Sequence, residues 1–321
     1  MRTRRRSLLA RSLLLHGPHT LNWQEHMLPL VDEHHVVIET VAGAISIGSE
    51  LPQYTGKARL ATEPSYPKMT GYESYGRITS VGKHVPEQLI GEKVIAHYGH
   101  RTHAILPVDD VIFVPSRVPP PTALLAILTC DVAKGIRKLH ITPEQRVLIT
   151  GAGAIGLMAV WLLRRYGLQS IHVLDIDDNR CQKALDLGAQ VATHPAEAGR
   201  WMDDFDIGIE CSSADSAFQL LQAKMTHNGR IVILSDGNYE PLTLSPHFHQ
   251  KELVLHASSD GWDYHQHAIW FWQQVEKDHS LADTLFDVTI PHAELVQTFA
   301  KLAHESINPV KVLVNYQVES W

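Results

Sequence analysis

The sequence predicts an α/β protein in two parts, a barrel-like β domain followed by a doubly wound parallel sheet. Its 321 residues are about twice the ~150 typical of one domain. Up to about residue 120 the chain reads as short β-branched runs bounded by Gly, Pro or Asp. From 124 to 258 strand-like and helix-like segments alternate, which is the pattern of a parallel sheet covered on both faces.

Composition narrows the class before any motif is considered. A hydrophobic fraction of 44% and a charged fraction of 20% exclude a disordered or fibrous chain. With 28 Lys+Arg against 35 Asp+Glu the formal charge is −7, and no basic stripe lies beyond the first residues, so nucleic acid is not an expected partner. No run of 18 apolar residues predicts a membrane span. Cys130, Cys181 and Cys211 are far apart and in no CxxC spacing, which fits a reducing, cytoplasmic setting rather than a disulfide framework.

The elements follow in order. Met1 to Leu15 has a basic lead and an apolar run, but Arg11 interrupts the run and no small-residue cleavage site follows, so it reads as a first strand. Val36–Val41, Gly76–Val81, Lys93–Ala96 and Val111–Val114 are further strands. Pro119-Pro120-Pro121 continues neither sheet nor helix interior and marks a boundary. Strands are then expected at Val147–Thr150, Ile171–Asp175, Asp206–Glu210 and Arg230–Leu234, with helices to Tyr166, to Leu187 and around Ala214–Met225. Two helices, about 265–278 and 292–304, and a strand at Val310–Asn315 close the chain.

Val147-Leu148-Ile149-Thr150 runs directly into Gly151-Ala152-Gly153-Ala154-Ile155-Gly156, and the next strand ends at Asp175. Strand before, helix after and an acidic residue at the following strand end are the context that a dinucleotide fingerprint requires. Gly151 makes the turn, Gly153 admits a pyrophosphate over the helix N-terminus, and Gly156 allows close packing of helix on strand. Asp175 accepts ribose hydroxyls and repels a 2′-phosphate, which favours NAD over NADP. Ala154, Ile155, Ile176 and Arg180 flank that site, and Cys211 and Ser235 are further expected cofactor-binding positions.

At Ala44-Ile45-Ser46-Ile47-Gly48-Ser49-Glu50, Gly71-Tyr72-Glu73-Ser74-Tyr75-Gly76, Gly91-Glu92-Lys93-Val94 and the stretch from Gly151 to Ala189, the chain resembles the medium-chain dehydrogenase/reductase superfamily. The resemblance implies a GroES-like β-barrel substrate domain over 1–123, completed by 259–321, and a Rossmann NAD-binding domain over 124–258. It also implies a homodimer, a small-molecule substrate in the cleft between the domains, and Cys130 as a cofactor-binding position near the nicotinamide, against the alternative of a buried packing cysteine. The Ser49-Glu50 and Gly71-Tyr72-Glu73 variants resemble a subgroup that includes bacteriochlorophyllide dehydrogenases and threonine-dehydrogenase-related proteins.

Zinc alcohol dehydrogenases carry Cys, His and Cys ligands where this chain has Ile47, Tyr72 and Ala126, so no zinc is expected. By the resemblance Tyr72 replaces a ligand and becomes the candidate hydrogen-bond donor to the substrate oxygen. Ser49 matches a proton-relay hydroxyl, and Glu50 and Glu73 match acidic supports. In His97-Tyr98-Gly99-His100-Arg101-Thr102-His103, an extended reading puts His97 and His103 on one face and His100 on the other; His100 or His103 is then a proton relay, and a shared metal needs a break at Gly99. His34, His35, His247, His249, His256, His265 and His267 read as loop or surface groups, and Trp262, Tyr264, Trp270, Phe271 and Trp272 as core.

These readings favour an NAD-dependent, zinc-independent oxidoreductase that interconverts an alcohol and a carbonyl. A quinone or enone reductase and a non-catalytic nucleotide-binding protein are the alternatives.

Overall fold

In a computed structural model, residues 8–59, 64–200, 204–235, 240–276 and 278–317 are described. The basic lead at residues 1–7 lies outside them. The chain divides into two compact units, residues 1–125, 268–277 and 286–321 in one and residues 126–267 and 278–285 in the other.

The first unit begins with β1 (Leu9–Gly17) and β2 (Thr20–Met27), followed by β3 (His35–Ile45), α1 (Ile47–Thr55), β4 (Lys68–Met69), β5 (Glu73–Val81), β6 (Lys93–Ala96), β7 (His103–Pro107) and β8 (Ile112–Phe113). Helix α2 (Pro120–Lys138) starts at the proline run. The second unit contains β9 (Val147–Thr150), α3 (Ala154–Arg165), β10 (Ile171–Leu174), α4 (Asp178–Asp186), β11 (Val191–Thr193), β12 (Phe205–Glu210), α5 (Asp215–Lys224), β13 (Met225–Ile233), α6 (Pro246–Gln250) and β14 (Val254–Ala257). Then come α7 (Tyr264–Val275), α8 (Ser280–Leu285), β15 (Phe286–Pro291), α9 (Leu295–Ala303) and β16 (Lys311–Asn315).

In the first unit β1 pairs with β2 and β4, and a seven-stranded mixed sheet runs β15-β16-β3-β5-β6-β8 with β7 also on β3. The long β3 is buried over most of its length, as a strand covered on both faces must be. Leu13, Leu15, Ile45, Phe299 and Val312 pack in one apolar cluster, and Val36, Ile38, Ile78 and Val94 in another.

The second unit is a six-stranded sheet in the order β11-β10-β9-β12-β13-β14, parallel throughout. That is the doubly wound order 3-2-1-4-5-6, with its reversal beside β9. Leu157 to Leu163 of α3 are all buried, which explains a helix apolar nearly all round. Asp177 caps α4 by accepting the N–H groups of Asn179 and Arg180.

Several expectations are corrected. Residues 259–267 and 278–285 group with the second unit, not the first. There Asp278 pairs with Arg165, and Lys183 Nζ donates to the Thr284 carbonyl at 2.6 Å. The extended reading of His97–His103 fails: β6 ends at Ala96, Gly99 turns the chain with φ of +79°, and a separate strand, β7, begins at His103 against β3. His267 is buried in α7, where its Nε2 lies 3.0 Å from Thr129 Oγ1. Trp262 is 70% exposed rather than core. No helix among the described residues is long and apolar enough to cross a membrane.

Candidate active site

Ser46 lies between β3 and α1, Glu50 is one turn into α1, Glu73 opens β5 directly after Tyr72, and Lys311 opens β16. Because β3 runs between β5 and β16, the sheet brings these segments together. Lys311, fully buried, donates from Nζ to Glu73 Oε1 at 2.5 Å and to Ser46 Oγ at 3.2 Å. Ser46 Oγ donates to the same Glu73 oxygen at 2.5 Å. Tyr72 Oη donates to Ser46 Oγ at 2.8 Å and lies 3.2 Å from Ser49 Oγ.

The direction of each bond follows from counting protons. A hydroxyl has one to give and an ammonium only donates. With the Ser46 proton on Glu73, Ser46 Oγ accepts from both Lys311 and Tyr72. The Tyr72 proton therefore faces Ser46, and a lone pair on its oxygen is left for another donor. Burial, reinforced by the charge of Glu73, pushes the Tyr72 phenol well above its ordinary 10, against the opposing hydrogen bonds of Ser46 and Ser49. At neutral pH it is a protonated hydroxyl.

A second branch starts at the Ser46 N–H, which donates to Glu50 Oε1 at 2.8 Å. Glu50 Oε2 lies 3.0 Å from Nε2 of the buried His100, and with Glu50 as a carboxylate that nitrogen is the donor. Only a glycine fits at Gly71, where a Cβ atom would come within 2.7 Å of the His100 ring. A pocket of ≈80 Å³ is lined by Tyr72, Glu50, Gln53, Thr70, Tyr54 and Phe299, among others. His103 does not join this group: its Nδ1 is 3.1 Å from Thr102 Oγ1, and burial lowers its pKa from 6.5.

Zinc requires thiolate, imidazole or carboxylate donors. Ile47 and Ala126 have none, Tyr72 stays a protonated phenol, and one oxygen of Glu73 is held by an ammonium that repels a dication. The buried Glu73 Oε2 lacks a hydrogen-bond partner among the described residues, but it is a single oxygen. This donor set does not fit zinc. Glu50 and His100, the other donors beside Tyr72, are bonded to each other at 3.0 Å, and among the described residues the one group of three or more His, Cys, Asp and Glu side chains close enough to share an ion is Glu33, His34 and His84, all exposed.

The glycine loop does fit a dinucleotide. Gly151 has φ of +91°, and a Cβ there would come within 2.9 Å of the Cys211 backbone. At Gly156 a Cβ would lie 1.8 Å from the Gly151 carbonyl oxygen. At Gly153 it would meet nothing within 4 Å, so open space stands at the N-terminus of α3 next to Ala154 and Ile155, where free N–H groups and the helix dipole favour an anion. The buried Asp175 accepts the Ala152 N–H at 2.5 Å and the Asp177 N–H at 2.9 Å, fastening the loop to the end of β10. Each of its oxygens keeps a further lone pair. Ile176 is 80% exposed, and Arg180 Nε lies 4.0 Å from Asp177 Oδ2.

Glu210, which the sequence reading missed, organises the neighbouring strand end. Its Oε1 accepts Ser212 N–H and Oγ–H at 2.6 Å and Ser213 N–H at 3.0 Å, and its Oε2 accepts the Ser235 hydroxyl. The Cys211 N–H donates to the Thr150 carbonyl at 2.8 Å, so Cys211 and Ser235 both border the strand ends next to the glycine loop. Cys130 is instead a packing thiol, donating to the Trp262 carbonyl at 3.5 Å and pushed up by burial to about 11.

Known proteins similar to this chain in sequence or fold are named as dehydrogenases and reductases. A family described as "Zinc-binding dehydrogenase" matches residues 154–263. L-threonine 3-dehydrogenase of Anaeromyxobacter dehalogenans is 27% identical over 254 residues, covering 66% of this chain and 72% of that protein. The solved structure of 2R,3R-butanediol dehydrogenase from Bacillus subtilis aligns with a TM-score of 0.82 at 18% identity, covering 96% of this chain and 100% of that one. That of acetophenone reductase from Geotrichum candidum, in complex with NAD, aligns with a TM-score of 0.81 at 18% identity, covering 96% and 97%. With a parallel sheet in 3-2-1-4-5-6 order, a glycine loop after its first strand and dehydrogenases as relatives, the chain is a dehydrogenase-like oxidoreductase, similar in sequence and fold to the medium-chain dehydrogenase/reductase superfamily.

Proposed function

We propose that the protein is an NAD-dependent, zinc-free oxidoreductase that interconverts an alcohol and a carbonyl compound, with Tyr72 exchanging the proton. The observation that carries this reading is the hydrogen-bonded series from Tyr72 through Ser46 to Glu73, held by the Lys311 ammonium. When bound over Gly153, the dinucleotide supplies the hydride donor or acceptor. In alcohol oxidation the substrate hydroxyl gives its proton to Tyr72 Oη, Tyr72 gives its own to Ser46 Oγ, and Ser46 gives its own to Glu73 Oε1. One proton thus moves to Glu73 and no free phenolate or alkoxide accumulates. Carbonyl reduction runs the same three shifts backwards. Ser49 orients the Tyr72 hydroxyl, and Lys311 supplies the fixed positive charge that zinc contributes in metal-dependent relatives.

Asp175 supports NAD, since a 2′-phosphate would meet its charge. The open edge of β14, with Val254 44% exposed, offers a self-pairing surface for the proposed homodimer, which sedimentation would test. Three free cysteines suit a reducing, cytoplasmic compartment.

Turnover of NADH with a panel of ketones, quinones and enones, beside elemental analysis, tests the proposal. Ketone reduction by protein without stoichiometric zinc supports it. Reduction of quinones or enones alone assigns the reductase alternative, no turnover at all leaves a nucleotide-binding protein, and one zinc per chain overturns the metal-free reading.

A further inference from the structure

A second pocket, ≈250 Å³ in volume, lies in the first unit away from Tyr72, and its lining contains no carboxylate. Arg77 of β5, Lys93 of β6 and Arg117 ahead of α2 converge on it, together with Tyr75, Ser116 and Gln317. Arg77 and Lys93 are direct partners in the antiparallel register, so two like charges face each other across neighbouring strands. Such a pairing is unfavourable unless something negative lies between them. Glu39 opposes Arg77 from β3, but it lies outside the lining, and neither Arg77 nor Lys93 has an ion-pair partner among the described residues. Arg117 is paired with Glu276 at 3.3 Å, with both side chains substantially exposed. In a chain of formal charge −7, this all-cationic concavity runs against the background.

We propose that this pocket binds a small phosphate monoester. Two guanidinium forks match phosphate oxygens in pairs, and the Lys93 ammonium and Ser116 hydroxyl add single donors. The start of α2 at Pro120 places the positive end of a 19-residue helix dipole in the lining. The volume falls below the ~300–1,000 Å³ of pockets that hold drug-sized ligands, which selects a phosphorylated fragment of a few carbons over a whole nucleotide.

The test is calorimetric titration of the full chain at constant ionic strength with glycerol 3-phosphate, inorganic phosphate and glycerol. Saturable binding of glycerol 3-phosphate at one site per chain is expected, with silence from glycerol and at least a tenfold loss in both R77Q/K93Q and R117Q. Inorganic phosphate binding as tightly as the ester would keep the dianion site but overturn recognition of the carbon fragment. Without ligand, R77Q/K93Q should melt no lower than the parent, because the substitution removes repulsion rather than a contact. Absence of saturable binding overturns the proposal. So does binding unchanged in both variants, which would place the anion at the glycine loop instead.

Discussion

Lys311→Met is the most informative single perturbation of the network. The Lys311 and Glu73 side chains are each 0% exposed, and the Nζ to Oε1 distance is 2.5 Å. Removing one member of such a pair leaves the other charge buried without compensation, at a cost of about 3–5 kcal/mol. A typical domain has only ~5–15 kcal/mol of stability, so urea unfolding will read the loss directly. Glu73→Gln alone should cost a similar amount. The double variant K311M/E73Q removes both charges and should recover most of the loss, so the coupling in the double-mutant cycle, the two single losses less that of the double, should be at least about 4 kcal/mol. Two single losses below about 1 kcal/mol that simply add would mean that the pair is solvated and contributes no fixed charge to the site.

Two further predictions concern the second unit. Burial, aided by Arg137, pushes the His267 imidazole down to about 4, so the folded state resists a proton that the unfolded chain accepts near 6.5. Stability is complete above pH 6.5 and is lost as pH falls toward 4; at pH 5 the loss from this residue is ~2 kcal/mol. His267→Gln should remove that part of the difference between melts at pH 7 and pH 5, and an unchanged difference would contradict the assignment. NADH should bind at least ~10-fold tighter than NADPH, about 1.4 kcal/mol. Asp175→Asn should narrow that ratio and also weaken NADH, because the carboxylate holds the Ala152 and Asp177 N–H groups; equal affinities in the parent protein would refute the role of Asp175.

The glycine loop was legible because all its information is local: strand, three glycines, helix and acidic residue lie within 29 residues, from Val147 to Asp175. Tyr72 and Ser49 were reached through family resemblance, and the structure joins them at 3.2 Å. Ser46 and Lys311 were not reached, since they are separated by 265 positions and meet only through strand pairing. No local pattern encodes that contact. His267 was misread although a signal existed: His267, Ala268, Phe271, Trp272 and Val275 follow a single helical stripe, and all five are buried. The histidine run at 97–103 failed for the opposite reason, because one left-handed glycine ended an otherwise plausible alternation. Glu210 was visible as an acidic strand end before Ser212-Ser213, the composition of a side-chain-capped turn.

The central claim is that Tyr72, not a metal, exchanges the substrate proton, and the rate of Tyr72→Phe tests it most directly. Phenylalanine keeps the ring and its packing but deletes the hydroxyl that donates to Ser46 at 2.8 Å. With a deuterated substrate or cofactor showing that hydride transfer limits the rate, kcat should fall roughly 10- to 1000-fold while the melting temperature changes little. An unchanged kcat under the same isotope effect would reduce Tyr72 to a space-filling ring and contradict the relay.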